Sequence, residues 1–157
     1  MAIRVLFVCL GNICRSPAAH GVFEDLVASA GLGDTIFVDS AGTSGFHSGQ
    51  KADKRMREHA SKRGYDLTSL SRKIDASDFE SFDKILVMDD RNLKDVSKIN
   101  PAKQNKITKL TQYCTKHSVD HVPDPYYGGA AGFEQVLDIV EDACKNLLLE
   151  IQKEINP

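Results

Sequence analysis

Residues 5–23 read VLFVCLGNICRSPAAHGVF, and this stretch runs from an apolar segment directly into a helical pattern. A strand is predicted over residues 3–8, because a nearly continuous apolar and β-branched run is typical of a strand buried on both faces of a parallel sheet. Ser16 and Pro17 are predicted to be the N-cap and the first residue of a helix that ends at Gly31. The stretch therefore predicts a strand, a short loop and an amphipathic helix.

The rest of the chain continues this alternation. Further strands are predicted over 35–39, 84–88 and 106–110, and further helices over 53–63, 75–82, 89–98 and 133–151. No linker, repeat or low-complexity block interrupts the pattern. We therefore expect an α/β protein whose residues 1–157 form a single three-layer domain, with a four-stranded parallel sheet flanked by helices.

Composition excludes several classes of protein. The 157 residues are 41% hydrophobic and 27% charged, which is typical of a soluble globular domain. The net charge of −2 gives no global basic surface for nucleic acid or an anionic membrane. The first apolar run stops at Gly11, so it is too short for a membrane span, and it lacks the small-residue cleavage site of a signal peptide. We expect a cytoplasmic monomer whose four irregularly spaced cysteines are free thiols.

The loop between the first strand and the first helix has the features of an oxyanion site. Amide groups at a helix N-terminus favour phosphate, and the planar guanidinium of Arg15 can hold two phosphate oxygens. Cys9 and Arg15 form the pattern C-x5-R, which lacks the lysine and second glycine of a nucleotide-binding loop. The phosphate-binding residues are predicted to be Leu10, Gly11, Asn12, Ile13, Cys14, Arg15 and Ser16. Inorganic phosphate and similar oxyanions are the expected ligands.

A second set of residues has a spacing that could suggest a metal site. Cys114, His117, His121 and Asp124 form the string C-x2-H-x3-H-x2-D. This string has no second pair of closely spaced ligands, as a structural zinc site would. We therefore expect solvated surface histidines there, with no metal and no other cofactor in the protein.

Two motifs give the chain a family resemblance. CLGNICRSP at residues 9–17 and DPYYG at 124–128 resemble the low molecular weight protein tyrosine phosphatases. The resemblance covers essentially the whole chain and includes DSAGT at 39–43 and FDKILVMD at 82–89. It implies a metal-independent hydrolase that acts on phosphotyrosine in protein substrates, and on aryl phosphates, through a phosphocysteine intermediate. Acid phosphatase activity is expected as well.

The resemblance also assigns roles to individual residues. It implies that Cys9 is the nucleophile, Arg15 the phosphate clamp, and Asp124 the general acid on a loop that closes over the site. A thiolate is the reactive form of cysteine, and the helix N-terminus with Arg15 would favour it. Without the family, Asp124-Pro125 is a turn signal only.

Aromatic residues are expected to form the walls of the substrate pocket. Tyr126 and Tyr127 resemble the aromatic wall of the family's pocket, and flat walls suit a phenyl ring. Phe46 falls where the family often has an aromatic residue on the opposite wall, although it could equally anchor a loop in a local core. The neighbouring thiols of Cys9 and Cys14 suggest redox regulation through a reversible disulfide.

Several residues are expected to support the loop. Asn12 is predicted to adopt a left-handed backbone conformation. The Ser16 hydroxyl could donate to the Cys9 sulfur, as in the family, and Ser40 and Asp89 at strand ends are expected to be supports. One position departs from the family, because many relatives carry a supporting histidine where this chain has Ser69. Its hydroxyl could supply a hydrogen bond instead.

Two other functions share parts of this pattern. Arsenate reduction reuses the fold and loop but needs cysteines that carry a disulfide out of the site, and Cys114 and Cys144 do not form a closely spaced pair. A non-catalytic module would bind phosphotyrosine without hydrolysing it. The presence of a thiol, a clamp and an acid together favours an enzyme.

Overall fold

The computed structural model describes residues 2–157, and its centre is a parallel four-stranded sheet. The strands are β1 (Ile3–Cys9), β2 (Ile36–Gly42), β3 (Lys84–Val87) and β4 (Ile107–Lys109), in the spatial order β2-β1-β3-β4. All three neighbouring pairs are parallel. The predicted α/β architecture with four parallel strands is therefore confirmed.

Within residues 2–157, five α-helices and two 3-10 helices lie between and after the strands. The α-helices are α1 (Arg15–Ser29), α2 (Lys54–Lys62), α3 (Asp78–Ser81), α4 (Asp90–Ile99) and α5 (Ala130–Ile155), and the 3-10 helices are Pro101–Lys106 and Leu110–Tyr113. The strand predicted over 106–110 is shorter in the structure, because its first and last residues belong to the two 3-10 helices that flank β4. The last helix extends beyond its predicted bounds at both ends.

The sheet separates two hydrophobic cores, and β1 contributes to both. Val5 and Phe7 face the larger core, which α1, α2 and α5 cover, whereas Leu6 and Val8 face the smaller core under α3 and α4. Phe7 packs edge-on against Phe23 of α1, with ring centroids 5.6 Å apart. A strand buried on both faces must be apolar at successive positions, which explains the run that opens the sequence.

This packing fixes where the loops converge. In a parallel sheet the carboxyl ends of all strands lie at one edge, so the loops after β1, β2 and β3 meet there. Cys9 pairs with Gly42 at that end of the β1–β2 ladder. Within residues 2–157, no helix is both long and apolar enough to cross a lipid bilayer.

A buried carboxylate on α5 holds the segment that follows β4. Asp142 accepts hydrogen bonds from the amides of Thr115, Lys116 and His117 at 3.1, 2.9 and 3.0 Å. Burial would raise its pKa, but the amide and imidazole hydrogen bonds outweigh burial and hold the pKa well below its usual range. Three successive backbone donors thus depend on one charged acceptor.

We predict that Asp142→Ala lowers the free energy of unfolding by about 3 kcal/mol at pH 7, because three backbone amides and the His117 imidazole lose a charged, buried acceptor. A carboxyl group whose pKa is lower in the folded than in the unfolded state stabilises the fold at pH values above its unfolded pKa. This stabilisation is lost as the pH falls through the folded-state pKa. The difference between wild type and variant should therefore shrink below about pH 4. Urea unfolding at several pH values measures it.

The control for this prediction is Asp138→Ala on the same helix. The Asp138 side chain is 52% exposed and pairs with Arg63, so its loss should cost less than about 1 kcal/mol. Equal destabilisation by the two substitutions, or a difference that does not change with pH, would contradict the role assigned to Asp142.

Candidate active site

The loop between β1 and α1 forms the floor of the site, and its shape depends on two residues of special conformation or size. Asn12 has a φ of 56°, so the predicted left-handed conformation is confirmed. Its side chain donates to the Ser16 hydroxyl at 2.8 Å and accepts from the Arg72 amide at 3.1 Å. Gly42 lies directly against the loop, and a Cβ there would lie 2.7 Å from the carbonyl oxygen of Leu10.

Ser16 lies beneath the loop, beside the Cys9 thiol. Its hydroxyl oxygen is 3.0 Å from the Cys9 sulfur and 3.3 Å from the carbonyl oxygen of Ala41. The prediction that Ser16 caps the helix was wrong, because α1 begins at Arg15 and its N-cap, Cys14, makes no side-chain capping bond. The hydroxyl instead lies between the Cys9 sulfur and the Ala41 carbonyl, and it can donate its single proton to either of them.

Arg15 is buried at the first position of α1, with 3% of its side chain exposed. Nη1 donates to Asp89 Oδ2 at 2.6 Å and to the carbonyl oxygen of Val122 at 3.2 Å, and Nη2 lies 3.7 Å from Asp124 Oδ2. Burial opposes the charge, but Cys9 and the two carboxylates outweigh burial and raise the pKa of Arg15. The guanidinium therefore stays charged and held in one orientation.

Asp89 reaches Arg15 from the end of β3, where it is also the N-cap of α4. Its Oδ1 accepts from the Asn92 amide at 2.8 Å, and Oδ2 accepts from Arg15. Burial would raise the pKa of Asp89, but the Asn92 amide and Arg15 outweigh burial and lower it. The charged carboxylate thus links the helix start to the guanidinium.

The loop and three aromatic side chains enclose a cleft of about 330 Å³. Twelve residues line it: Cys9, Leu10, Gly11, Ile13, Cys14, Arg15, Ser44, Phe46, His47, Asp124, Tyr126 and Tyr127. Asn12 and Ser16, predicted with the phosphate-binding residues, lie buried behind this lining. The structure thus brings every other predicted site residue to one surface.

The aromatic walls are largely exposed. Phe46 is 84% exposed and Tyr127 is 95% exposed. Tyr126 and Tyr127 pack edge-on at 4.9 Å between ring centroids, while Asp124 Oδ1 accepts from the Tyr126 amide at 3.1 Å. Phe46 therefore lies at the cleft rather than in a local core.

His47 is a wall residue that the sequence pattern did not indicate. Its ring lies 4.9 Å from the Phe46 ring and 6.2 Å from the Tyr126 ring, between centroids. A lone histidine in a Gly- and Ser-rich loop gives no periodic signal. The available signal was that His47 directly follows Phe46, a residue already expected in a wall of the pocket.

The segment after α2 supports the loop through Ser71 rather than Ser69. Ser71 Oγ donates to the carbonyl oxygen of Gly11 at 2.9 Å, and among residues 2–157 no hydrogen bond joins Ser69 to the loop. On the other side, His20 Nδ1 lies 3.0 Å from Ser40 Oγ. Ser40 is thus tied to α1 by a histidine that was not predicted.

The four cysteines are free, and only two of them line the cleft. Burial raises the pKa of Cys14, and the nearby charges of Asp53 and Cys9 raise it further. Cys144 is buried beneath α1, and Cys114 is half-buried against α5. Over the part of the chain that the structure describes, no group of three or more His, Cys, Asp or Glu side chains could hold a metal ion.

Comparisons with known proteins agree with the resemblance found in the sequence. The family model described as low molecular weight phosphotyrosine protein phosphatase matches residues 4–156. The chain is 48% identical over 155 residues to a Synechocystis protein named for this class of phosphatase, covering 98% of this chain and 99% of that protein. It is 40% identical over 147 residues to the human low molecular weight phosphotyrosine protein phosphatase, covering 92% of each chain.

Solved structures show the same fold. A crystal structure of a protein tyrosine phosphatase from Entamoeba histolytica, with Hepes in the active site, matches with a TM-score of 0.94 at 44% identity, covering 98% of this chain and 99% of that one. The structure of YfkJ from Bacillus subtilis matches with a TM-score of 0.92 at 38% identity, covering 98% and 97%.

We predict that Gly42→Ala weakens the binding of inorganic phosphate on the order of tenfold or more, because the loop must shift and its amides lose their convergence. The new Cβ would lie 2.7 Å from Leu10 O and 3.0 Å from Asn12 N, both backbone atoms. Calorimetric titration with phosphate measures the affinity. The matched control is Gly33→Ala, whose added Cβ meets no atom within 4 Å. Unchanged affinity in Gly42→Ala would show that the loop tolerates the shift.

Proposed function

Because this chain belongs to the low molecular weight phosphotyrosine protein phosphatase family, and is therefore a hydrolase, we propose that it cleaves phosphotyrosine and aryl phosphate monoesters through a phosphocysteine intermediate. The observation that carries the proposal is the meeting of Cys9, Arg15 and Asp124 at one cleft. Proteins that carry phosphotyrosine are the proposed partners. The four free thiols favour a reducing compartment such as the cytoplasm.

Binding uses the floor and the walls of the cleft for different parts of the substrate. The loop amides and the Arg15 guanidinium would hold the phosphate oxygens, because both donate to anionic acceptors. The tyrosyl ring would lie between Phe46 and the pair Tyr126 and Tyr127. Cys9 and Arg15 are buried while the rings of Phe46 and Tyr127 are exposed, an arrangement that suits an aromatic ring with its phosphate at the inner end.

The first chemical step forms a sulfur–phosphorus bond. The Cys9 thiolate attacks phosphorus, the bond from phosphorus to the phenolic oxygen breaks, and Asp124 gives its proton to that oxygen. Charge on the equatorial oxygens would be stabilised by the loop amides and by Arg15, whose guanidinium is already held by Asp89 and the Val122 carbonyl. These donors do the work that a metal ion does in other phosphoryl-transfer sites, so we propose that chelators leave activity unchanged.

The second step returns the enzyme to its starting state. The Asp124 carboxylate, having lost its proton, takes one from a water molecule, and the water oxygen attacks phosphorus. The sulfur–phosphorus bond breaks, inorganic phosphate forms, and Cys9 leaves as a thiolate. The Ser16 hydroxyl, 3.0 Å from the sulfur, can donate to that thiolate and so favour its departure.

The two other functions receive less support. Arsenate reduction needs cysteines that can pass a disulfide outward, but Cys114 and Cys144 are absent from the cleft lining. A binding module without turnover needs no acid, yet Asp124 lies beside Arg15 at the cleft.

A reversible Cys9–Cys14 disulfide stays a prediction.

We predict that Cys9→Ser lowers turnover of p-nitrophenyl phosphate by more than about 10³-fold, because the nucleophile is lost. Binding of inorganic phosphate should persist, since Arg15 and the loop amides remain. Steady-state assays and calorimetry measure the two effects. Cys114→Ser, which changes a half-buried thiol outside the cleft, is the control and should retain activity. Near-normal turnover by Cys9→Ser would exclude a phosphocysteine intermediate.

We predict that Asp124→Asn slows phosphorylation most for substrates with basic leaving groups, by about 10²-fold or more for phenyl phosphate. An activated nitrophenolate departs without a proton and should be affected far less. Rates for a series of substituted phenyl phosphates measure this dependence. Asp120→Asn, which changes a side chain that is 79% exposed, is the control. One common factor for all leaving groups would show that Asp124 is not the acid, and Asp89 would be tested next.

A further inference from the structure

Asp124 lies in the segment 122–128, and two hydrogen bonds to other parts of the protein hold the first residue of that segment. The Val122 amide donates to the carbonyl oxygen of Met88 at 2.8 Å, and the Val122 carbonyl accepts from Arg15 at 3.2 Å. Further along, the hydrogen bonds are local, from the Tyr126 amide to Asp124 and from the Gly128 amide to Pro125. These local bonds shape the turn but do not place it over the cleft.

Arg55, a side chain outside this segment, donates a hydrogen bond to the residues that follow Asp124. Arg55 Nη2 donates to the carbonyl oxygen of Tyr126 at 3.0 Å, two residues after the proposed acid. Within the described range 2–157, this is the one hydrogen bond from elsewhere in the protein to residues 123–128. The guanidinium also lies 5.5 Å from the centroid of the Tyr126 ring. The position of the turn therefore depends on Arg55, together with the longer ion pair of 3.7 Å between Arg15 and Asp124.

Arg55 is itself held in place from two sides. Its Nε and Nη2 donate to the two carboxylate oxygens of Asp53 at 3.1 and 2.9 Å. The guanidinium lies 4.8 Å from the centroid of the Phe133 ring of α5. A planar fork that pairs with a carboxylate and stacks on an aromatic ring is a geometry that lysine cannot reproduce.

The same turn of α2 contacts the phosphate loop. The Asp53 amide donates to the carbonyl oxygen of Ile13 at 2.7 Å, and the Asp53 side chain caps α2 by accepting from the amides of Arg55 and Met56. The start of α2 is thus bonded to the loop that carries the nucleophile and, through Arg55, to the loop that carries the acid. The start of α2 therefore sets the distance between the loop of Cys9 and the loop of Asp124.

We propose that Arg55 is a positioning residue, which holds the Asp124 carboxyl over the leaving-group side of the cleft through the Tyr126 carbonyl. This inference rests on the proposed function, because it assigns Asp124 the role of acid. Arg55 does not touch the reacting atoms. Its removal should therefore impair proton transfer to the leaving group and spare the attack by Cys9.

The test is Arg55→Met, which keeps the length and apolar contacts of the side chain and removes its hydrogen bonds. Phosphorylation by phenyl phosphate should slow about 10-fold to 100-fold, since a small displacement of a catalytic group has an effect of that size. Phosphorylation by p-nitrophenyl phosphate should slow less than about threefold, because this leaving group needs no proton. The leaving-group dependence should become steeper.

Arg63→Gln is the matched control. Arg63 also joins α2 to α5, through Glu134 and Asp138 at 2.9 Å each, but it does not line the cleft. Its leaving-group dependence should equal that of the wild type. A steepening of the same size in Arg63→Gln would overturn the inference, because any weakening of the α2–α5 contact would then suffice.

A double variant tests whether Arg55 acts through Asp124. In the Asp124→Asn background there is no proton to place, so Arg55→Met should cause less than about a twofold further loss with phenyl phosphate. If the double variant instead lost rate by the product of the two single-variant factors, the inference would be overturned. Arg55→Lys should recover only part of the rate, because an ammonium can reach one carbonyl but cannot pair with Asp53 through two nitrogens.

Amide hydrogen exchange measures the same displacement without turnover. Exchange across residues 123–128 should be faster in Arg55→Met than in the wild type and unchanged in Arg63→Gln, with equal thermal unfolding temperatures showing that both variants fold. Unchanged exchange in Arg55→Met would overturn the inference. A wild-type protein without aryl phosphatase activity would instead refute the proposed function, and the exchange experiment would still decide what Arg55 does to the loop.

Discussion

The buried guanidinium of Arg15 is the charge around which the site is built. With 3% of the side chain exposed, it would be costly to bury without partners, and it has Asp89 at 2.6 Å, the Val122 carbonyl at 3.2 Å and Asp124 at 3.7 Å. These partners come from the end of β3 and the segment after β4. Their arrangement fixes the direction of the fork before any ligand arrives, so a phosphate group meets donors that need no reorganisation.

The two carboxylates beside Arg15 are not equivalent, and the difference suits their proposed roles. Asp89 is closer, half-buried and bonded to the Asn92 amide, so it stays charged and holds the guanidinium. Asp124 is more distant and its side chain is 41% exposed, which leaves it accessible from the solvent and from the cleft. In the proposed reaction an incoming phosphate would compete with Asp124 for Arg15 more easily than with Asp89, because the longer ion pair is the weaker one.

Features that depend on local sequence were predictable, and features that depend on tertiary contact were not. β1, the loop and α1 follow from a nearly continuous apolar run, a glycine and a proline, and Asn12 adopts its predicted conformation. Ser16 fits the helix-cap pattern, yet its hydroxyl bonds toward Cys9 because the buried thiol and the Ala41 carbonyl lie beside it. His47 and Arg55 belong to the site through contacts with residues far away in the chain. No spacing along the sequence encodes such contacts. The part of His47 in the wall and the support of the acid loop by Arg55 therefore appear only in three dimensions, whereas the family resemblance had pointed to Phe46, Tyr126 and Tyr127.

The floor and the walls of the cleft are held by different amounts of structure. The floor is tied through Asn12, Ser16 and Ser71, by side-chain bonds to backbone and to one another, so a change in any of them displaces the nucleophile or the amides. The rings of Phe46 and Tyr127 are 84% and 95% exposed, and their ring contacts are with neighbouring aromatic side chains. In the proposed mode of binding, substituting a wall ring would therefore remove contact area for the substrate without moving the floor. Under the proposed function, the preference for one phosphorylated protein over another would then change through the walls, while the chemistry of phosphate transfer at the floor would stay the same.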